Sequence, residues 1–308
     1  MEGSEEEQNL KDEKTEIISE QIEKEIKIIT KEYVQNVSIS KQVSDMIKFE
    51  AILGIIEEIV EGIIDNEDIL HNLESIMNFK DDKFFHLINV TVLSLMLGSS
   101  LKYNKEWLRI LGIGAFLHDI GETKVPAKIL NKPSKLSPAE FAEEQKHTLY
   151  GYEFLEQQEN INELSALIAY QHHERCDGSG YPQGLLKRDI HEFSRIVAIA
   201  DVFDAMRNDR VYRSAFKIKE VIEYLYTMIT WNKLDNQLIE KFLECLVPYS
   251  IGTKVKLNDN YEGVVTQIKE NFNMRPVVKV LKKDGKELDE SFEIDLEKKL
   301  NFVIEEVG

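Results

Sequence analysis

The stretch His172-His173-Glu174-Arg175-Cys176-Asp177-Gly178-Ser179-Gly180-Tyr181-Pro182 sets two adjacent histidines and an acid against a turn-rich run. Glycines and a proline so close to the pair favour a loop that presents side chains to a cleft over a structural role. Gly178 and Gly180 allow sharp turns, and Tyr181, preceding Pro182, is biased to extended backbone. Upstream, His86, His118 and His147 sit in equally distinctive settings, with Asp119 directly after His118. Downstream, Asp201 lies in the run Ile199-Ala200-Asp201-Val202-Phe203-Asp204. Neutral imidazole with carboxylate is the ligand set of borderline-hard divalent metals such as Mn, Fe or Zn. Singly these signals are weak. A lone histidine on a helix, as His86, is more often a satisfied core or surface residue. The His118-Asp119 pair follows apolar Gly114-Ala115-Phe116-Leu117, where it is costly to bury without a partner. Coincidence is a poor account of all five settings together.

Composition narrows the function classes. The chain has 308 residues, 43% of them hydrophobic, and a formal net charge of −18. That apolar content supports a sizeable core. The excess acid includes Glu2, Glu5, Glu6, Glu7, Asp12 and Glu13, and no broad basic footprint balances it. Duplex nucleic acid and anionic membrane are thereby excluded as general partners. A small anionic substrate fits if metal ions and a few arginines reverse the sign inside a cleft. Cys176 and Cys245 make no disulfide framework, which points to a reducing compartment. The acidic N-terminus lacks the basic start and apolar core of a signal peptide, and Val90–Gly98 falls far short of the ~20 residues that span a bilayer. The expectation is a cytoplasmic protein.

Four segments are expected along the chain. Residues 1–15 read as an acidic disordered tail. Over 16–79, Ile18, Ile22, Ile26, Ile29 and Val34 recur at helical spacing, and further helical runs cover Val43 to Ile64 and Ile69 to Met77. These helices could pack on the body of the protein or form a homodimer seam. Residues 80–249 read as helices with short polar joints. Ser137-Pro138-Ala139-Glu140 is a capping box with proline at the first helical position, which predicts a helix from Pro138 to about Gln157 with His147 inside it. Over 250–308 the texture turns to β: Lys254 to Leu257, Gly263 to Ile268 and Val277 to Leu281 are rich in branched residues, and Asp284-Gly285 is a hairpin signal.

From Lys80 to Tyr249 the sequence resembles the HD-GYP subgroup of the HD phosphohydrolases. The strings that carry this are His86-Leu87-Ile88-Asn89-Val90, Leu117-His118-Asp119-Ile120-Gly121, Lys132-Pro133 with Lys135-Leu136, His147 followed by Gly151, and the His172–Pro182 run. Asp201-Val202-Phe203-Asp204-Ala205, Asp209-Arg210 and Tyr212-Arg213 complete the set. The resemblance implies a mainly α fold, an HD-domain helical bundle flanked by the N-terminal helical region and the small C-terminal β unit.

It further implies metal ligation by His86, His118, Asp119, His147, His172, His173 and Asp201, with Asp119 bridging two ions. Asp82, one turn before His86, stands where some members hold a third ion. The cofactors implied are two or three divalent ions, iron or manganese. The implied activity is hydrolysis of cyclic di-GMP to the linear dinucleotide or GMP. His118, Asp119, Glu122 and Lys124 are assigned to catalysis, and Gly180, Tyr181, Pro182, Arg210 and Arg213 to substrate contact. Surface ion pairs with Asp204 and Asp209 are the bland alternative for the two arginines. The family commonly has lysine where this chain has Glu122, which would repel a phosphate, and Lys124 is the candidate substitute. Val211 and Arg207 also depart from the family pattern. Two alternatives stand beside the hydrolase: a cyclic dinucleotide receptor with little turnover, prompted by Glu122, and a hydrolase of a mixed cyclic GMP-AMP dinucleotide.

Overall fold

The computed structural model describes residues 53, 54, 57, 61, 83–207, 216–246, 251–268 and 275–307. The chain divides into two compact units, Met1–Ile69 and Leu70–Gly308. The acidic tail and most of the expected N-terminal helices, with any dimer seam they form, lie outside the described residues, as do Asp82, Arg210 and Arg213.

The helical body consists of α1 (Lys83–Ser100), α2 (Lys105–Phe116), a 3-10 turn (Ile120–Lys124), α3 (Ala127–Leu130), α4 (Pro138–Glu144), α5 (His147–Leu155), α6 (Glu163–Gln171), α7 (Glu192–Arg207), α8 (Ile218–Thr230) and α9 (Asn236–Cys245). Helix α1 packs against α2, α7 and α9. Every residue from Ile88 to Gly98 is buried. The long apolar run is therefore the central core helix, with each fully buried Leu or Val contributing about 1.5–3 kcal/mol. The Thr91 hydroxyl within it donates to Leu87 O at 2.7 Å. Among the described residues no helix is long and apolar enough to cross a membrane.

Helix starts follow the local chemistry. Asn104, Asn162 and Asp235 cap α2, α6 and α9 through their side-chain oxygens, satisfying N–H groups that have no partner within the helix. Ser137 and Glu140 form the expected capping box at α4.

The helix expected from Pro138 to about Gln157 is broken at Gln145-Lys146, so His147 opens α5 instead of lying inside one helix. The imidazole causes the break. His147 Nδ1 lies 2.7 Å from Glu144 O, the carbonyl that a continuous helix would give to the Thr148 N–H. Thr148 N turns instead to Gln145 O at 3.4 Å.

The C-terminal strands β1 (Lys254–Leu257), β2 (Tyr261–Gln267), β3 (Val277–Lys283), β4 (Lys286–Asp295) and β5 (Ile304–Val307) form one sheet in the order β4-β3-β2-β1-β5. All its pairings are antiparallel. The hairpin turn falls at Asp284-Gly285, with φ of 52° and 75°, the left-handed pair that such a turn requires. Val255, Leu257, Val265, Val278, Val280, Ile294 and Leu296 form its core.

Candidate metal centre

Five histidines and Asp201, from α1, the α2 end, α5, the α6 end and α7, gather around Asp119. Its two oxygens face different partners. Oδ1 lies 3.3 Å from His172 Nε2 and 3.5 Å from His147 Nε2. Oδ2 lies 3.3 Å from His118 Nε2 and 4.0 Å from His86 Nε2. His86 Nε2 is in turn 3.4 Å from Asp201 Oδ1. Ligand atoms of Asp119, His147, His172 and His173 all lie within 4.8 Å of one another, as do those of His86, His118 and Asp119.

Helix ends set the tautomers. The last carbonyls of a helix lack intrahelical donors, and three of the histidines take them. His118 Nδ1 lies 2.7 Å from Ala115 O at the end of α2. His147 Nδ1 takes Glu144 O at the end of α4. His172 Nδ1 lies 3.1 Å from Ala169 O and 3.2 Å from Ile168 O in α6. A carbonyl only accepts, so each Nδ1 carries a proton, which leaves Nε2, turned toward Asp119, as the ring atom placed to ligate a metal. His118 Nε2 is buried and makes no hydrogen bond. A cation is the partner such an atom fits, and the donor set as a whole suits a divalent metal.

His86 lies within α1 and is oriented by a carboxylate instead. Its Nδ1 is 2.7 Å from Asp204 Oδ2, while Asn89 Nδ2 donates to Asp204 Oδ1 at 2.8 Å. Asp204 is fully buried, and the arginines that the sequence offers as its partners, Arg210 and Arg213, lie outside the described residues. Asp204 and Asn89 were absent from the expected site. The signal that would have found them is spacing: His86 and Asn89 are three apart on α1, Asp201 and Asp204 three apart on α7, so each pair shares a helix face.

Glycine sets the closest approach. A Cβ on Gly121 would overlap the His147 carbonyl and the Gly151 amide, so glycine is what lets the turn after Asp119 sit on α5. Protons and metals compete for this cluster. Burial opposes a charge on His86, yet its bonds to Asp201 and Asp204 carry its pKa to about 10. Burial also opposes a charge on His118, and the Asp119 carboxylate still raises it. His172 and His173 are held down, mainly by burial. Burial would raise Asp119 and Asp201, but the surrounding imidazoles hold both below the usual carboxylate range.

The His172–Pro182 run forms one wall. The Tyr181 ring lies 4.7 Å from the His173 ring at 32° and 6.4 Å from His147. Its N–H donates to His173 O at 3.2 Å. The Tyr181-Pro182 bond is cis, and Pro182 is exposed. Glu122 is half-buried in the 3-10 turn. Lys124 is exposed, with its ammonium 5.8 Å from the centroid of the Tyr150 ring.

Both parts of the chain match known families. A family described as HD domain matches residues 60–238, and one described as KOW domain associated with HD domain matches residues 254–307. A cyclic di-GMP phosphodiesterase of Pseudomonas aeruginosa is 31% identical over 73% of this chain and 54% of its own length. A 3'3'-cGAMP-specific phosphodiesterase of Vibrio cholerae is 36% identical over 51% of this chain and 36% of its own. The chain thus spans about half the length of the first of these relatives and less of the second. A solved HDG"Y"P protein of Bdellovibrio bacteriovorus shares the fold, with a TM-score of 0.53 at 22% identity over 64% of this chain and 63% of its own. By its matched domain, the chain belongs to the HD domain family.

Proposed function

We propose that the chain is a metal-dependent phosphodiesterase that opens cyclic di-GMP to the linear dinucleotide or on to GMP. The observation that carries the reading is the division of Asp119, whose Oδ1 faces His147 and His172 while Oδ2 faces His118 and His86. One carboxylate thereby joins two half-sites. His147, His172 and His173 would complete one, and His86, His118 and Asp201 the other, each holding an iron or manganese ion. Asp82 is the candidate ligand for a third.

Bound at such a centre, divalent cations neutralise charge on the phosphoryl oxygens and make water a nucleophile at neutral pH. The chain's own residues do the positioning. Carbonyls at helix ends hold three imidazoles with Nε2 inward, Asp204 holds the fourth, and Tyr181 walls the site beside His173. Arg210 and Arg213 are proposed to meet a guanine edge or a phosphate, with Gly180 and Pro182 shaping the loop around Tyr181. Glu122 would weaken phosphate binding, and Lys124 is the candidate cation to offset it. We place the enzyme in the cytoplasm, with residues 80–249 as its catalytic body and the 16–79 helices as a candidate dimer seam.

Chromatography of cyclic di-GMP incubated with the anaerobically purified, Mn- or Fe-loaded chain tests the reading; linear dinucleotide or GMP is expected. Tight dinucleotide binding with an occupied centre and no product would select a receptor instead. The name of the Vibrio relative favours a second substrate, mixed cyclic GMP-AMP, and kinetics on both dinucleotides side by side decide between them.

A further inference from the structure

Glu174 follows two of the candidate ligands in sequence, yet its carboxylate belongs to neither half-site. It is 2% exposed, and an unpartnered carboxylate at that depth would be costly. Both oxygens are engaged by backbone. Gln183 N donates to Oε1 at 2.7 Å and Leu185 N to Oε2 at 2.9 Å. These donors lie just beyond the Tyr181-Pro182 bond, on the far arm of the loop. On the near arm, a Cβ on Gly180 would overlap the Glu174 Cα and the Arg175 amide, so only glycine lets the loop fold flat onto this segment. Between the arms, Tyr181 N bonds His173 O and its ring lies against the His173 ring.

We propose that Glu174 is a positioning residue for substrate binding: its buried carboxylate clips the far arm of the loop back onto the segment against which Gly180 packs, so that Tyr181 stands as a fixed wall beside His173. The clip acts through Tyr181 and not through the metals. Charge-assisted bonds to two amides are stronger than neutral ones, and a carboxylate can accept both where a carboxamide cannot. The neighbouring fold anchors the rest of the loop independently: Cys176 N donates to Lys233 O at 2.8 Å, and Lys187 Nζ pairs with Asp235 at 2.8 Å. Loss of the clip therefore frees the tip that carries Tyr181 while the base stays tied.

The inference rests on the phosphodiesterase reading for its kinetic arm and is independent of it in its exchange arm. Glu174→Gln keeps the volume but offers one acceptor oxygen, with an NH2 group facing the other amide. In the metal-free full chain, hydrogen exchange at the Gln183 and Leu185 amides should rise about tenfold or more over the parent. In the Mn-loaded chain, metal stoichiometry should stay at the parent value, and the loss on cyclic di-GMP should fall on KM by about tenfold, more than on kcat.

Combining Glu174→Gln with Tyr181→Ala should cost no more than Tyr181→Ala alone, because both remove the same wall. Glu174→Asp, which keeps the charge on a shorter arm, should fall between the parent and Glu174→Gln, and it serves if the glutamine variant folds poorly. Unchanged amide exchange, loss of bound metal, or losses that multiply in the double variant would each overturn the proposal. If the parent cleaves no cyclic dinucleotide, the parent reading fails, and the exchange arm still decides the clip.

Discussion

Replacing Asp204 by asparagine isolates the support that His86 receives. The carboxylate accepts bonds from His86 Nδ1 at 2.7 Å and Asn89 Nδ2 at 2.8 Å, and Asp204 itself is fully buried. A carboxamide of the same shape has one oxygen to offer and sets an NH2 group against the remaining donor. One charge-assisted bond is lost and a buried donor is stranded, at about 1.5–3 kcal/mol. If that loss falls on the orientation of the His86 ring, metal affinity drops about 10–100-fold, the usual consequence of removing a partner that orients a ligand. Competition of Asp204→Asn against a chelator of known Mn affinity measures this directly, with His86→Ala as the limit in which the ligand itself is gone. The His86 proton should also leave at lower pH than about 10 in metal-free protein, readable from its imidazole resonances. Parent-like metal affinity in Asp204→Asn, beside a clear loss in His86→Ala, would refute the orienting role.

Gly121→Ala places a methyl against backbone of α5 that has no flexible end to move aside. It should destabilise the chain by about 1–3 kcal/mol and weaken metal binding by separating Asp119 from His147; an unchanged melting curve and unchanged affinity would contradict the close approach. Metal removal should lower the melting temperature, since cation at a hundredfold excess over its Kd stabilises by about 2.7 kcal/mol, and a melt insensitive to chelator speaks against a bound ion. In metal-free protein His86, raised to about 10, contributes stability that is complete below about 6.5 and lost as pH rises toward 10. Asp119 and Asp201, held down, contribute above about 3.9 and lose it as pH falls through their folded values, while neutral His172 and His173 oppose folding as pH drops below about 6.5. Urea unfolding with chelator should therefore weaken on both sides of mild acidity; a curve level from pH 6.5 to 10 would remove the His86 contribution.

The legible part of this protein was the part written in side-chain chemistry. Histidine and aspartate cannot be buried cheaply, so their appearance in apolar runs near Phe116 and Ile199 announced a shared purpose, and Asp284-Gly285 announced its turn because other residue pairs rarely adopt two positive φ values. Strand β4 was harder to see. Its run Lys286-Glu287-Leu288-Asp289-Glu290-Ser291-Phe292 reads as polar because part of its fit comes from across the sheet, where Lys282 opposes Glu287 and Lys279 opposes Glu293.

The centre's geometry was hidden for a related reason. Three histidines are aimed by main-chain carbonyls, which every residue owns, and those carbonyls become available only where a helix stops. At His147 the dependence runs both ways, because the ring that needs the Glu144 carbonyl also ends the helix that would have consumed it. A reading that extends that helix to Gln157 therefore loses the break and the ligand's orientation together. Helix boundaries in this body are thus part of the candidate site itself, and a substitution that extends a helix across Gln145-Lys146 should disturb metal binding without touching any of the seven side chains of the cluster.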